Sequence, residues 1–161
     1  MFGTWRFDRR DRHNANSHAI EMSLALKQAE LAGQLAAIKN SQERFAFIVR
    51  RGREYPDLEP ALKTEANRVD GCLAKVWFLS ELSAGRCYFK TDSDSAIVKG
   101  ISVILCEFYS GETPEEILQT PPAFLETVGI NQHLTANKRD SLTKIWVKIR
   151  KFASDISCKC Q

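Results

Sequence analysis

Apolar and polar positions follow two different periods along this chain, and the change between them divides it into a helical start, a short extended centre and a helical remainder. Ile20, Leu24, Leu31, Leu35 and Ile38 recur at mostly helical spacing, in a stretch rich in Ala, Gln, Lys and Glu. That pattern predicts one amphipathic helix. Asn40 and Glu43 are spaced as a capping box for a second helix, with apolar Phe45, Ile48 and Val49 and an end expected near Gly52. Pro56 and Pro60 bracket a connector. Residues 61–71 are mostly polar, end in glycine and read as a turn or a long loop.

The period changes after Cys72. Val76-Trp77-Phe78-Leu79 reads as a strand, Ser83-Ala84-Gly85 as a turn, and Cys87-Tyr88-Phe89 as the start of a second strand, which together predict an antiparallel hairpin. A hairpin alone is marginal in water, so a third strand, drawn from residues 61–71, or a helical cover is expected. Asp92-Ser93-Asp94-Ser95 then offers caps for a helix over Ala96–Tyr109 that is apolar almost all round and therefore buried. Gly111 is placed to end it. Thr113-Pro114-Glu115-Glu116 opens a short helix that stops by Pro121. Another runs from about Ala123 to Val128, and Leu142, Ile145, Trp146, Ile149 and Phe152 mark the last. Helices, a hairpin and helices again define an α+β domain, a small antiparallel sheet packed against helices.

The length of 161 residues fits one domain able to bury a core without metal or disulfides. We expect a disordered lead-in over 1–18, the domain over 19–155 and a mobile tail over 156–161. The lead-in has no apolar core, so it is no secretory signal, and its two Asp among four Arg argue against organelle targeting. A net charge of +3 requires neither nucleic acid nor a membrane as partner. No apolar run approaches the ~18 residues of a membrane span. Five cysteines, an odd number, do not read as a disulfide framework and point to a reducing compartment, the cytoplasm.

Among those cysteines Cys72 stands out by position. It follows Gly71 and a polar loop and precedes the first strand, where a rigid element can present a reactive group. Lys63, Arg68 and Lys75 lie near it in sequence, and a cation close to the sulfur favours the reactive thiolate. The other reading of Cys72 is an inert buried cysteine at a strand start. Cys87 and Cys106 read as packing residues, and Cys158-x-Cys160 as an end without function. No cysteine or histidine spacing forms a zinc site, so no metal is expected. His133, in a loop or helix start, reads as structural or solvated, with assistance to a thiolate as its functional alternative. Asp92 and Asp94 read first as caps, and as a border of the Cys72 site if the hairpin folds back. Lys138-Arg139 reads as a solvated helix face.

The stretch Glu65-Ala66-Asn67-Arg68-Val69-Asp70-Gly71-Cys72-Leu73-Ala74-Lys75-Val76-Trp77 resembles the signature of the SufE family, sulfur acceptors of iron–sulfur cluster assembly. The resemblance continues through Asp92-Ser93-Asp94-Ser95-Ala96-Ile97-Val98-Lys99-Gly100, Tyr109-Ser110-Gly111-x-Thr113-Pro114-x-x-Ile117 and Gln132-His133-Leu134-Thr135, to the helix ending in Ile149-Arg150. It covers roughly residues 40–153. It implies the fold that SufE shares with IscU-type scaffolds. It implies that Cys72 takes sulfane sulfur from a SufS-like, pyridoxal-phosphate cysteine desulfurase, stimulates that enzyme, and passes the sulfur to a SufBCD-like scaffold. Pyridoxal phosphate then belongs to the partner, and this chain binds no cofactor. It is an accessory carrier rather than a stand-alone enzyme. The alternative is a regulatory partner that docks on the desulfurase or scaffold without carrying sulfur. A metal or cluster scaffold on Cys72 is weaker still, for want of a second well-spaced ligand. Gly71, Arg68, Lys75, Asp92, Asp94, His133, Lys138 and Arg139 are the supporting or partner-contact candidates.

Three departures mark the chain as divergent. Leu73-Ala74 stands where the family has Gln-Ser. Ala136, Lys138 and Ser141 replace a proline, an arginine and a glycine, and lysine lacks arginine's planar fork. The stretch from Met1 to about Ile38 and the C-x-C tail are not clearly family features.

Overall fold

A computed structural model describes residues 23–127, 130 and 134–159 of the chain. Two helices come first, α1 over Leu24–Ala37 and α2 over Ser41–Glu54. Ser23 caps α1, and the Asn40 side chain caps α2 by accepting from the Gln42 N–H at 2.8 Å. α2 ends at Glu54, near Gly52 as expected. Gly52 itself lies buried against Gly100, where two backbones meet. The connector holds two single-turn 3-10 helices, Pro60–Leu62 and Glu65–Asn67.

Strands β1, Val76–Ser83, and β2, Arg86–Ser93, form an antiparallel hairpin from Val76↔Ser93 to Ser83↔Arg86. Its two-residue turn, Ala84-Gly85, has φ of 50° and 76°, the left-handed geometry that matches strand twist. Among the described residues the sheet has two strands. Residues 61–71 do not supply a third, since their polar, turn-rich sequence lacks the alternation of a strand. The two edges are instead met by short pairings. The Val69 N–H donates to the Val76 carbonyl at 2.8 Å on one side, and the Cys87 N–H to the Glu112 carbonyl at 2.8 Å on the other.

The cover is helical. α3, Ala96–Tyr109, is buried at twelve positions and packs on both α2 and the hairpin. Ser95, the last of the four candidates, caps it through the Val98 N–H. Its apolar circumference has nowhere to go but the centre of the domain. Gly111 follows with φ 88°, but its N–H turns to the Cys87 carbonyl at 2.8 Å rather than back to the helix. α4, Pro114–Gln119, carries the full Thr113–Glu116 capping box, and α5 is Phe124–Thr127. α6, Ala136–Lys159, buries Leu142, Ile145, Ile149 and Ala153. It stays helical beyond residue 155, with Ile156 packed on the core, so the stretch assigned to the tail is helix as far as Lys159. Phe89 joins the layers, stacked on Phe78 at 5.7 Å and edge-on to Phe152 of α6 at 5.8 Å.

Asp92 is not a cap. Its buried carboxylate accepts from the Leu58 N–H at 3.0 Å and the Ser93 N–H at 2.8 Å, and pairs with Lys63 at 2.8 Å and Lys99 at 3.1 Å. Lys99 also pairs with Asp57. Burial pushes the Asp92 carboxyl up, but the bonds from Lys63, Leu58, Lys99 and Ser93 together hold it below its ordinary value. A depressed folded pKa gives stability that is present above the unfolded value and is lost as pH falls through the folded one. Asp92→Asn should therefore cost about 3 kcal/mol at neutral pH. The gap between parent and variant should shrink in acid, below the folded pKa. Urea denaturation at both pH values checks this, and an equal gap at both would contradict the assignment.

Candidate functional site

Cys72 sits on the loop 70–75, between the 3-10 turns and β1. The loop closes at its base where Val69, 2% exposed, bonds the fully buried Val76. Two further anchors hold its limbs. Asp94 grips the outgoing limb at Lys75: its carboxylate accepts from the Lys75 N–H at 2.9 Å, and its own N–H donates to the Lys75 carbonyl at 3.2 Å. Lys144 of α6 grips the other limb, its ammonium donating to the Gly71 carbonyl. Gly71 has φ 70°, which glycine adopts without the steric cost other residues meet.

On this frame Cys72 is half-buried and packs against the edge of the core. Leu73 points out, 82% exposed, and Ala74 turns back toward the core. Cys87 and Cys106 are fully buried. Burial, with a contribution from Glu115, pushes the Cys87 thiol up to about 11, and burial first, then Glu107, pushes Cys106 up as well. Both are packing residues without a route to solvent. Cys158 is exposed on the last turn of α6. Cys72 alone among the described cysteines combines access, a rigid mount and a nearby cation. That set of features can attack an electrophilic sulfur or carbon.

The other candidates divide. Gly71 and Asp94 shape the loop, and Lys75 takes part through its backbone while its side chain is exposed. Asp94 thus borders the site instead of capping α3. Arg68 turns to Glu65, with Nη1 3.1 Å from its carboxylate. Lys63 belongs to Asp92 and lies 5.3 Å above the Trp77 ring, which accounts for that half-buried tryptophan. Lys138 and Arg139 lie on the first turn of α6, and Arg139 donates to the Leu134 carbonyl at 2.6 Å. His133 lies outside the described residues. Lys144 and Asp140 are the residues that the sequence did not single out. Their i,i+4 spacing reads as an ordinary helix ion pair, and nothing local announces a contact with Gly71.

Among the described residues no three of His, Cys, Asp and Glu gather as a metal-ligand set, and no helix is long and apolar enough to cross a membrane.

Fold and loop together define a small α+β protein that presents one cysteine on a tethered loop beside a hairpin. The chain matches the SufE family, an Fe-S metabolism associated domain, over residues 29–153. It is 28% identical over 131 residues to an uncharacterised SufE-like protein of Synechocystis sp., a match that covers 77% of this chain and 82% of that one. In fold it is similar to the solution structure of a hypothetical protein from Thermus thermophilus, at a TM-score of 0.66 and 18% identity, over 80% of this chain and 94% of the other. The chain belongs to the SufE family, and its general role is that family's, sulfur transfer in iron–sulfur metabolism. The match begins inside α1, further back than the motifs reach. Residues 29–38 therefore lie within the family match, and α1 as a whole is bound to the domain by buried Leu24 and Leu35 and by the Lys27–Glu112 ion pair.

Proposed function

We propose that Cys72 accepts sulfane sulfur from the persulfide of a SufS-like cysteine desulfurase in the cytoplasm and delivers it to a SufBCD-like iron–sulfur scaffold. The Cys72 thiolate attacks the outer sulfur of the partner's persulfide. A new S–S bond forms on Cys72 as the old one breaks, and the partner's cysteine leaves as a thiolate. Oxidation level is conserved, and the proton released by Cys72 is matched by the one the departing thiolate regains. Removing the sulfur frees the desulfurase for another cycle, which is how a carrier stimulates it. Pyridoxal phosphate stays with the partner.

The observation that carries this reading is the mount of Cys72, an accessible thiol on a loop fixed at Val69–Val76, Lys75 and Gly71. A fixed mount shortens the search for a productive approach. Incubation with a cysteine desulfurase and sulfur-labelled cysteine should label the chain, and a thiol reductant should remove the label. Failure to label while the two proteins bind would support the regulatory alternative. That alternative draws on Leu73, an exposed leucine beside the thiol where the family has a polar residue.

A further inference from the structure

We propose that Lys144 is the positioning residue of the Cys72 loop, fixing Gly71 through its carbonyl and holding a positive charge beside the sulfur. The inference deepens the acceptor reading and rests on it. Lys144 lies on the helix with which the family resemblance ends, outside the residue runs that precede that helix. It reaches Gly71 across 73 residues of sequence, from the helix that packs behind the hairpin. Its ammonium has three donors. One goes to the Gly71 carbonyl, and another to the Asp140 carboxylate one turn earlier, at 2.6 Å. Gly71 leaves the room it needs, since a Cβ there would stand 2.8 Å from the Lys144 nitrogen. The residue before Cys72 favours glycine by its φ, and any larger residue there would also push the lysine end aside.

The charge follows from the same geometry. The hydrogen bond to Asp140 raises Lys144 above its ordinary value, against an opposing effect of desolvation and with the Asp140 charge adding to the rise, so the side chain is a cation at neutral pH. Bonded to the carbonyl of the residue before Cys72, the ammonium is placed to face a thiolate there before transfer and a persulfide afterwards. Asp140 keeps the lysine aimed, so that the charge stays over the loop rather than swinging into solvent.

The test is alkylation of Cys72 by iodoacetamide in the full chain, read by peptide mass from neutral to alkaline pH, for the parent, Lys144→Met and Lys144→Arg. Lys144→Met should slow alkylation about two- to fivefold at neutral pH, the size expected of one partly exposed charge. The difference should shrink in high salt and vanish where every thiol is ionised. Lys144→Arg should keep most of the parent's rate. A Lys144→Met rate equal to the parent's, or raised by the same factor at every pH, would overturn the proposal, because a mere loop tether moves all pH values alike. Sulfur loading by the desulfurase is read on the same proteins. If the parent takes no sulfur, the acceptor reading fails while the alkylation contrast stands. If the parent loads and Lys144→Met alkylates like it, the Lys144 proposal fails alone.

Discussion

Cys72→Ser should leave the chain folded and able to bind a cysteine desulfurase, yet abolish sulfur acceptance and with it any stimulation of that enzyme. The hydroxyl is a weak nucleophile at neutral pH. The loop does not depend on the sulfur. Its anchors are the Gly71 carbonyl, both backbone groups of Lys75 and the Val69–Val76 pair. A half-buried loop position of this kind should change stability by no more than about 1 kcal/mol. No described cysteine stands in for it, since Cys87 and Cys106 are fully buried and Cys158 lies at the far end of α6. Desulfurase turnover with parent and variant, alongside their melting temperatures, checks this. Undiminished stimulation by Cys72→Ser would transfer the function from the thiol to the docked surface.

Gly100→Ala should damage the fold severely. In helices, alanine is favoured over glycine by about 1 kcal/mol, so propensity alone predicts a gain. Packing decides the other way. A Cβ on Gly100 would overlap the Ile48 carbonyl oxygen and stand 2.7 Å from its carbonyl carbon and 2.8 Å from its Cγ2. The nearest obstacle is backbone, which cannot rotate aside, so α2 and α3 must separate along a contact that runs through Gly52 as well. A Cβ on Gly52 would stand 2.8 Å from the Gly100 nitrogen. We expect a net loss of about 2–4 kcal/mol after the propensity gain, or roughly 5–15 °C in Tm. Gly33 of α1 supplies the control, because a Cβ there meets nothing within 4 Å. Gly33→Ala should stabilise by up to about 1 kcal/mol. A Gly100→Ala protein melting with or above the parent would show that the two helices are not packed this tightly.

The fold was legible wherever one period of apolar residues ran uninterrupted. The stretch Ile97–Phe108, apolar almost all round, read as the central helix, and Thr113-Pro114-Glu115-Glu116 formed the capping box it spelled. The hairpin followed from Val76–Leu79, the Ala84-Gly85 turn and Cys87–Phe89. What misled were residues whose role is set by a distant partner. Gly52 looked like no more than the approach to a helix end, because its packing partner Gly100 lies far along the chain. Asp92 looked like a cap because the groups that engage it, Leu58, Lys63 and Lys99, lie on other segments. The edge pairing of Arg68 and Val69 leaves no periodic trace in two residues.

The candidate site divides along the same line. Cys72 was visible as a candidate from its place after Gly71 and before a strand, and the chemistry proposed for it comes from the family resemblance around it. Asp94 was visible as an acidic residue but not as the clamp on Lys75. Lys144 was not visible at all, since only the packing of α6 behind the hairpin brings it to the loop. Local sequence carries the candidate cysteine, and tertiary packing carries what surrounds it.

Peptide-level mass analysis tests the central claim most directly. The chain is incubated with a cysteine desulfurase and cysteine, its free thiols are trapped, and each cysteine peptide is weighed. The account predicts one added sulfur atom on the peptide that contains Cys72, and none on those of Cys87 or Cys106. Sulfur on another cysteine, or on none while the two proteins still bind, would contradict it.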